Sequence, residues 1–282
     1  MIAGGRKMIG FFLAAVMMFS LVALMPMEAL PAQAAANEIA YIYDTDVASA
    51  DSYKALLEAN GYVVTLVHMD DVATTDFSTY GLIIVGQDTG DTYTWGDASS
   101  VSAIEGSGKP IIGLYRGGAS LFQELGLSIN YEHGGFATDQ TGINVTEPSH
   151  TIFSSPNSIP VPGDGIVALY SSNCTLLNEY SGSLSPDAVP LGCTAVYSHS
   201  YYPLVQEEQN VLWGFQASPD TMTQEGKDLF VNVVNHLFPL PAPAPGGLSG
   251  GAIAGIVVGS CAAVGLIAYF LIRRRRAAGK RA

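Results

Sequence analysis

Short apolar runs and helical stripes alternate along the first half of the chain. Residues 38–44, "EIAYIYD", make an apolar run of strand length. "ADSYKALLEANG" follows, with Tyr53, Leu56 and Leu57 on one helical face and Gly61 as its stop. "YVVTLVHM" predicts a second strand. A third lies at residues 82–85 within "FSTYGLIIVGQD". Residues 95–105 carry a weaker helical pattern. "KPIIGL" predicts a fourth strand, and "ASLFQELG" a helix beyond it. Strand alternating with helix predicts an α/β fold: a parallel sheet covered by helices on both faces.

The pattern changes from Ile129 to Asn210. Segments become shorter and richer in turns, which predicts a more β-rich portion that includes "GIVALY" and "TAVYSHSYYPLVQE". "NVLWGF" reads as a late central strand. "TMTQEGKDLFVNVVNHLF" reads as a closing helix, with Leu229, Phe230, Val233, Val234 and Leu237 on its apolar face. Thr221 or Thr223 is its expected cap.

Both ends carry apolar segments of a different kind. Arg6 and Lys7 precede an apolar stretch from Met8 to Met25, and "PAQAAA" supplies small residues for cleavage after Ala36. Residues 1–36 are therefore expected to be a signal peptide. Residues 252–272 form 21 residues without a charge, followed at once by Arg273, Arg274, Arg275 and Arg276. That length spans a bilayer as a helix, and the basic cluster keeps the 273–282 tail cytoplasmic. The expectation is a single-pass cell-membrane protein with residues 37–238 outside, joined to the membrane by the Pro- and Gly-rich stalk 239–251. Gly251, Gly255 and Gly259 repeat every four residues, a spacing that favours helix pairing and a homodimer.

Charge narrows the partners. Residues 37–238 hold 24 acidic side chains against Lys54, Lys109, Arg116 and Lys227, a formal net charge of about −20. Phosphate binding needs a basic surface, so nucleic acid is excluded as a partner. Cys174 and Cys193 are the only cysteines in this stretch. Outside the cell they can close a loop of about 20 residues, worth roughly 3 kcal/mol in the chain-entropy model; two buried free thiols are the alternative. "NVT" at Asn144 and "NCT" at Asn173 fit the glycosylation acceptor pattern.

The chemistry concentrates where strands end. "GLYRGGASLF", residues 113–122, is a glycine-rich bend from strand to helix, a place where several enzyme classes hold a nucleophile. Here the bend offers Tyr115 and Arg116, with Gly117 and Gly118 behind them. Ligands in parallel α/β sheets bind beyond the carboxyl ends of the strands. The other strands end in "YDTD" with Asp44, "HMDD" with His68, and "GQDTGD" with Asp88 and Asp91. Three readings follow. Arg116 braces the bend by pairing with a carboxylate. Alternatively, Arg116 and the helix N–H groups capture a carboxylate, phosphate or sugar acid. In the third, the aspartates hold a hard cation, although no spacing matches a calcium loop. Further on, Tyr197, His199 and Tyr201 share one face of a strand and offer stacking rings and donors to a sugar.

Two stretches together resemble the class I glutamine amidotransferase-like proteins, near their secreted ThuA-like relatives. "IIGLYRGGASLF" looks like the family's nucleophile turn, with Tyr115 where active members have Cys. "GFQASPD", residues 214–220, looks like the late strand, with Ser218 where they have the general-base His and Asp220 where they have Glu. "EPSHTIF" at residues 147–153 is similar to a segment of the ThuA-like relatives. The resemblance implies a flavodoxin-like fold with no cofactor. Amide transfer needs a thiolate beside an imidazole. A phenol and a serine replace them, so the resemblance implies a degenerate triad and a binding module for a small anionic or carbohydrate ligand, or for a surface partner. A hydrolase acting on carbohydrate or peptide through acids and His199 is the alternative. A structural surface-layer component is the third.

Overall fold

The central strands of the parallel half are short and buried on both sides, as a sheet covered on both faces requires, whereas the edge strand at Val63–His68 leaves Val63 and Thr65 exposed. A computed structural model describes residues 37–91, 93–194 and 200–241. The first half runs β1 (Glu38–Tyr43), α1 (Val47–Glu58), β2 (Val63–His68), β3 (Leu82–Val85), a small hairpin of β4 (Gly90–Asp91) and β5 (Thr94–Trp95), α2 (Ala98–Ser107), β6 (Ile111–Leu114) and α3 (Tyr115–Glu124). The second half runs β7 (Gly134–Gln140), β8 (Gly142–Val145), β9 (Ile166–Ala168), β10 (Cys174–Tyr180), β11 (Ala188–Thr194), β12 (Tyr201–Tyr202), β13 (Leu204–Glu207), β14 (Asn210–Trp213) and α4 (Gln224–Leu237).

Among the described residues, nine strands form one sheet in the order β2-β1-β3-β6-β14-β13-β11-β8-β9. The first five are parallel. Their order is 2-1-3-4-5 by position in the chain, the flavodoxin-like arrangement. The other four join antiparallel. A separate antiparallel sheet, β12-β10-β7, lies beside the carboxyl end of β14, where Leu177 N donates to Gly214 O at 2.7 Å.

Alternation along the strands sorts the core into two layers. Ile39, Tyr41, Leu82, Ile84, Ile112, Leu114, Val211 and Trp213 face α1 and α4, where Tyr53 and Phe230 meet them. Ala40, Ile42, Ile83, Val85, Ile111 and Leu212 face α2 and α3, packing with Ile104, Ala119 and Phe122. The expected cap of α4 is Thr223, whose side chain accepts from Gly226 N.

The bend between β6 and α3 is tighter than the sequence pattern indicates. Helix α3 starts at Tyr115 itself rather than at Ala119. Tyr115 has φ +46°, a left-handed value that a bulky side chain adopts only when its surroundings enforce it. The enforcement comes from glycine. A Cβ on Gly118 would overlap the backbone of Gly113, and a Cβ on Gly117 would overlap Gly86 O. The N–H of Gly117 donates to Gln87 O at 3.3 Å, so α3 begins against the loop that follows β3.

Two expectations need separate comment. Cys174 and Cys193 are not bridged. Cys174 sits on β10 of the small sheet, where its thiol donates to Gln140 O at 3.3 Å, and Cys193 is buried on β11 of the large one. Burial pushes the Cys174 thiol up to about 11 and raises Cys193 as well, so both are inert thiols. No helix among the described residues is long and apolar enough to cross a membrane. The predicted span at 252–272, its Gly251, Gly255 and Gly259, and the leader lie outside the described residues.

One buried group opposes the fold at neutral pH. Glu179 on β10 is fully buried, and among the described residues neither of its carboxyl oxygens has a hydrogen-bond partner. Burial first, and the nearby charge of Glu207 second, hold its pKa well above the ordinary carboxylate value. Glu207 is itself fixed by Ser128 N, Ser128 Oγ and Ile129 N at 2.7, 2.9 and 3.2 Å.

Two predictions follow from this packing. Gly117→Ala forces a methyl against Gly86 O, so denaturant unfolding should show a loss of roughly 3 kcal/mol, while Gly106→Ala, with open space around it, should show none. For Glu179 the folded state binds the extra proton, so stability falls as pH rises from the unfolded carboxyl value towards the raised folded one. Glu179→Gln removes that slope. Melting temperatures at pH 5 and pH 8 should converge for the variant and separate for the parent; parallel profiles would remove Glu179 from the account.

Candidate functional site

The bend and the late strand lie side by side. Strands β6 and β14 pair in register, Leu114 opposite Trp213, so Tyr115 and Gly214 leave the sheet together. A cavity of about 550 Å³ opens there, lined by Asp46, Gln87, Asp88, Tyr115, Arg116, Phe136, Thr175 and Gln216. It sits beyond the carboxyl ends of the parallel strands, the expected place for a ligand in this architecture.

The lining residues come from several elements. Thr175 and Gln216 come from the small sheet and the chain after β14, tied by Gln216 N donating to Thr175 O at 2.9 Å. Asp46 caps α1, accepting from Ser49 N at 3.1 Å, and its other oxygen accepts from the Gln87 amide at 2.8 Å. Asp88 Oδ2 accepts from the backbone N–H groups of Asp44, Thr45 and Asp46 at 3.1, 2.7 and 2.5 Å. These two carboxylates therefore serve the turn between β1 and α1.

Arg116 has a different setting. It is exposed, and among the described residues it makes no ion pair. Its guanidinium lies 4.9 Å from the centre of the Phe136 ring and 5.7 Å from that of Tyr115, within cation–π range. Phe136 continues an aromatic series through Tyr131 to Tyr93, with centroids 5.9 and 5.5 Å apart. The bracing pair between Arg116 and a carboxylate is thus not formed. The first turn of α3 has no side-chain cap, since Leu114 occupies the cap position. The guanidinium is the one cation of a lining that also holds two carboxylates, and it stands beside the positive end of the α3 dipole.

The remaining candidates are placed as follows. Tyr115 is 3 % exposed, and burial raises its phenol above the ordinary value of 10, with Arg116 partly opposing the shift. It is therefore a neutral hydroxyl at neutral pH. Ser218 and Asp220 do not line this cavity. Ser218 Oγ lies 3.5 Å from Asp220 Oδ2, which accepts from Ser52 Oγ at 2.7 Å. Asp220 instead borders a separate hollow of about 340 Å³ with Asp51, Ser52 and Lys227. Asp44 lies outside the lining, its carboxylate 3.9 Å from His68 Nε2. Asp91 sits on the β4–β5 hairpin, where its carbonyl accepts from Ser120 Oγ. Gly117 and Gly118 supply the backbone of the bend. His199 lies outside the described residues. Among the described residues no cluster of His, Cys, Asp and Glu is arranged to hold a metal ion.

Chemically, the cavity presents one cation, two amides, a phenol, a hydroxyl and two carboxylates already engaged. None of its lining residues is a thiol or an imidazole. Phe136 and Thr175 are contributions that the sequence did not signal. Each comes from the small antiparallel sheet and reaches the site only through the contact between that sheet and β14.

No protein-family model matches the chain, and no curated protein matches it. Several solved structures share its layout. PurLQS from Thermotoga maritima is 16 % identical, with 71 % of this chain and 99 % of that one covered and a TM-score of 0.47. A glutamine amidotransferase from Thermotoga maritima is 8 % identical, covering 72 % and 99 %, with a TM-score of 0.46. The glutaminase domain of Trypanosoma brucei CTPS with bound acivicin is 9 % identical, covering 73 % and 96 %, with a TM-score of 0.44. At these identities the likeness is one of layout alone.

Proposed function

We propose that this chain is a membrane-anchored cell-surface binding module, built on a class I amidotransferase-like domain whose triad has lost its chemistry. Its ligand is a small molecule bearing a carboxylate or another anionic group. The helix at residues 252–272 anchors it, and the glycines at 251, 255 and 259 pair two copies.

The observation that carries this reading is Arg116. It is the only arginine of residues 37–238, and it stands at the cavity rim without an ion pair among the described residues. A guanidinium stacked on Phe136 is held in place while its N–H edge stays available for a planar anion. The dipole at the start of α3, which has no side-chain cap, adds to the attraction. Binding is favoured over hydrolysis because Asp46 accepts through both oxygens and Asp88 accepts three backbone N–H groups through Oδ2, which commits these carboxylates to the turn between β1 and α1 rather than to acid–base chemistry on a substrate.

The test is thermal shift of the purified protein with citrate, glutamate, glucuronate and inorganic phosphate. A ligand at a hundred times its Kd stabilises by about 2.7 kcal/mol, or roughly 5–10 °C for a domain of this size. Arg116→Ala should abolish that shift, and Tyr115→Phe should keep most of it. Equal shifts in the parent and in Arg116→Ala would defeat the proposal.

A further inference from the structure

A second hollow, of about 330 Å³, lies on the β12-β10-β7 sheet and is lined by Gly135, Phe136, Ala137, Asn178 and Tyr201. Register explains its make-up. Asn178 pairs with Gly135, and Tyr180 pairs with Tyr201. With a period of two along β10, Asn178, Tyr180, Gly135 and Tyr201 share one face. Tyr201 and Tyr180 are exposed by 36 % and 46 %, with ring centres 5.6 Å apart. Gly135 leaves open space above the sheet, since the nearest atom to a Cβ there would be Tyr201 Cε1 at 3.9 Å.

The base of this groove carries an unmet hydrogen-bonding need. Asn178 is only 3 % exposed. Its amide N–H donates to Gly135 O at 3.4 Å, and its Oδ1 has no partner among the described residues. Buried polar atoms in folded proteins are nearly always satisfied; this oxygen is covered in the unliganded groove, so a donor from outside meets it once the Asn178 amide, held by that one long bond, turns towards the groove. None of the lining residues is charged.

We infer that this groove is a subsite for the ring of a neutral sugar, seated against Tyr201 over Gly135 with a ligand hydroxyl donating to Asn178 Oδ1. The class follows from what the groove offers. An anion finds no cation among the lining residues. A purely apolar ligand leaves the Asn178 acceptor unmet. A pyranose brings an apolar C–H face for the tyrosine ring and hydroxyl donors at its edge. The site is separate from the cavity beside Arg116, although Phe136 borders both, and it stands whether or not that cavity binds an anion.

The test uses the full chain and neutral hexasaccharides of glucose, mannose and N-acetylglucosamine, with isothermal titration as the readout. At least one should bind, and Tyr201→Ala should weaken it at least tenfold with an unchanged melting temperature. Asn178→Leu should weaken it to the same extent. Because that change removes an orphaned acceptor, it should also raise the melting temperature of the unliganded protein. Arg116→Ala should leave sugar affinity unchanged. The inference fails if none of the hexasaccharides binds, if binding survives Tyr201→Ala and Asn178→Leu, or if it is lost with Arg116→Ala instead. It fails equally if Tyr201-dependent binding is found only for unglycosylated peptides.

Discussion

Backbone meets backbone at the bend between β6 and α3, and the site is arranged around that contact. Gly118 lies on Gly113, and Gly117 lies on Gly86 O, with no volume left for side chains between them. This close approach drives α3 down onto the sheet and leaves Tyr115 in a left-handed conformation that a tyrosine would not choose. The same geometry sets the start of α3 at the sheet's carboxyl edge and turns its first residues towards the neighbouring β14. Arg116 and the cavity are consequences of a turn whose tightness comes from the glycines at 86, 113, 117 and 118.

That strain has a chemical meaning in view of what the bend carries. A strained strand-to-helix turn is a device for presenting a nucleophile. Here it presents a buried, neutral phenol and an exposed guanidinium. The late strand beside it continues into Gln216 at the cavity and only then reaches Ser218 and Asp220, which bond to each other and to Ser52. In the proposed function, the groups that this bend displays serve recognition rather than amide transfer.

The parallel half of the fold was readable in the chain because its central strands are buried on both faces. "EIAYIY", "LIIV" and "IIGL" are near-continuous apolar runs, and the intervening helices carry their own stripe and stop signals. The small sheet was not readable element by element. "GGFATDQ" and "CTLLNEY" mix polar and apolar positions, and β10 buries Asn178 and Glu179 against expectation for their type. Arg116, Gly117 and Gly118 stood out because local composition marks them. Phe136 and Thr175 did not, because only a long-range contact between sheets brings them to the bend. Cys174 and Cys193 lie on β10 and β11, in different sheets, and are not bridged.

We propose an amidotransferase-like scaffold that binds a ligand without carrying out the amidotransferase reaction. Ammonia release from L-glutamine by the purified protein addresses this proposal most directly. The account predicts no release above the spontaneous rate, with or without prolonged incubation at neutral pH. Turnover at an enzymatic rate, lost on Tyr115→Phe or Ser218→Ala, would contradict it.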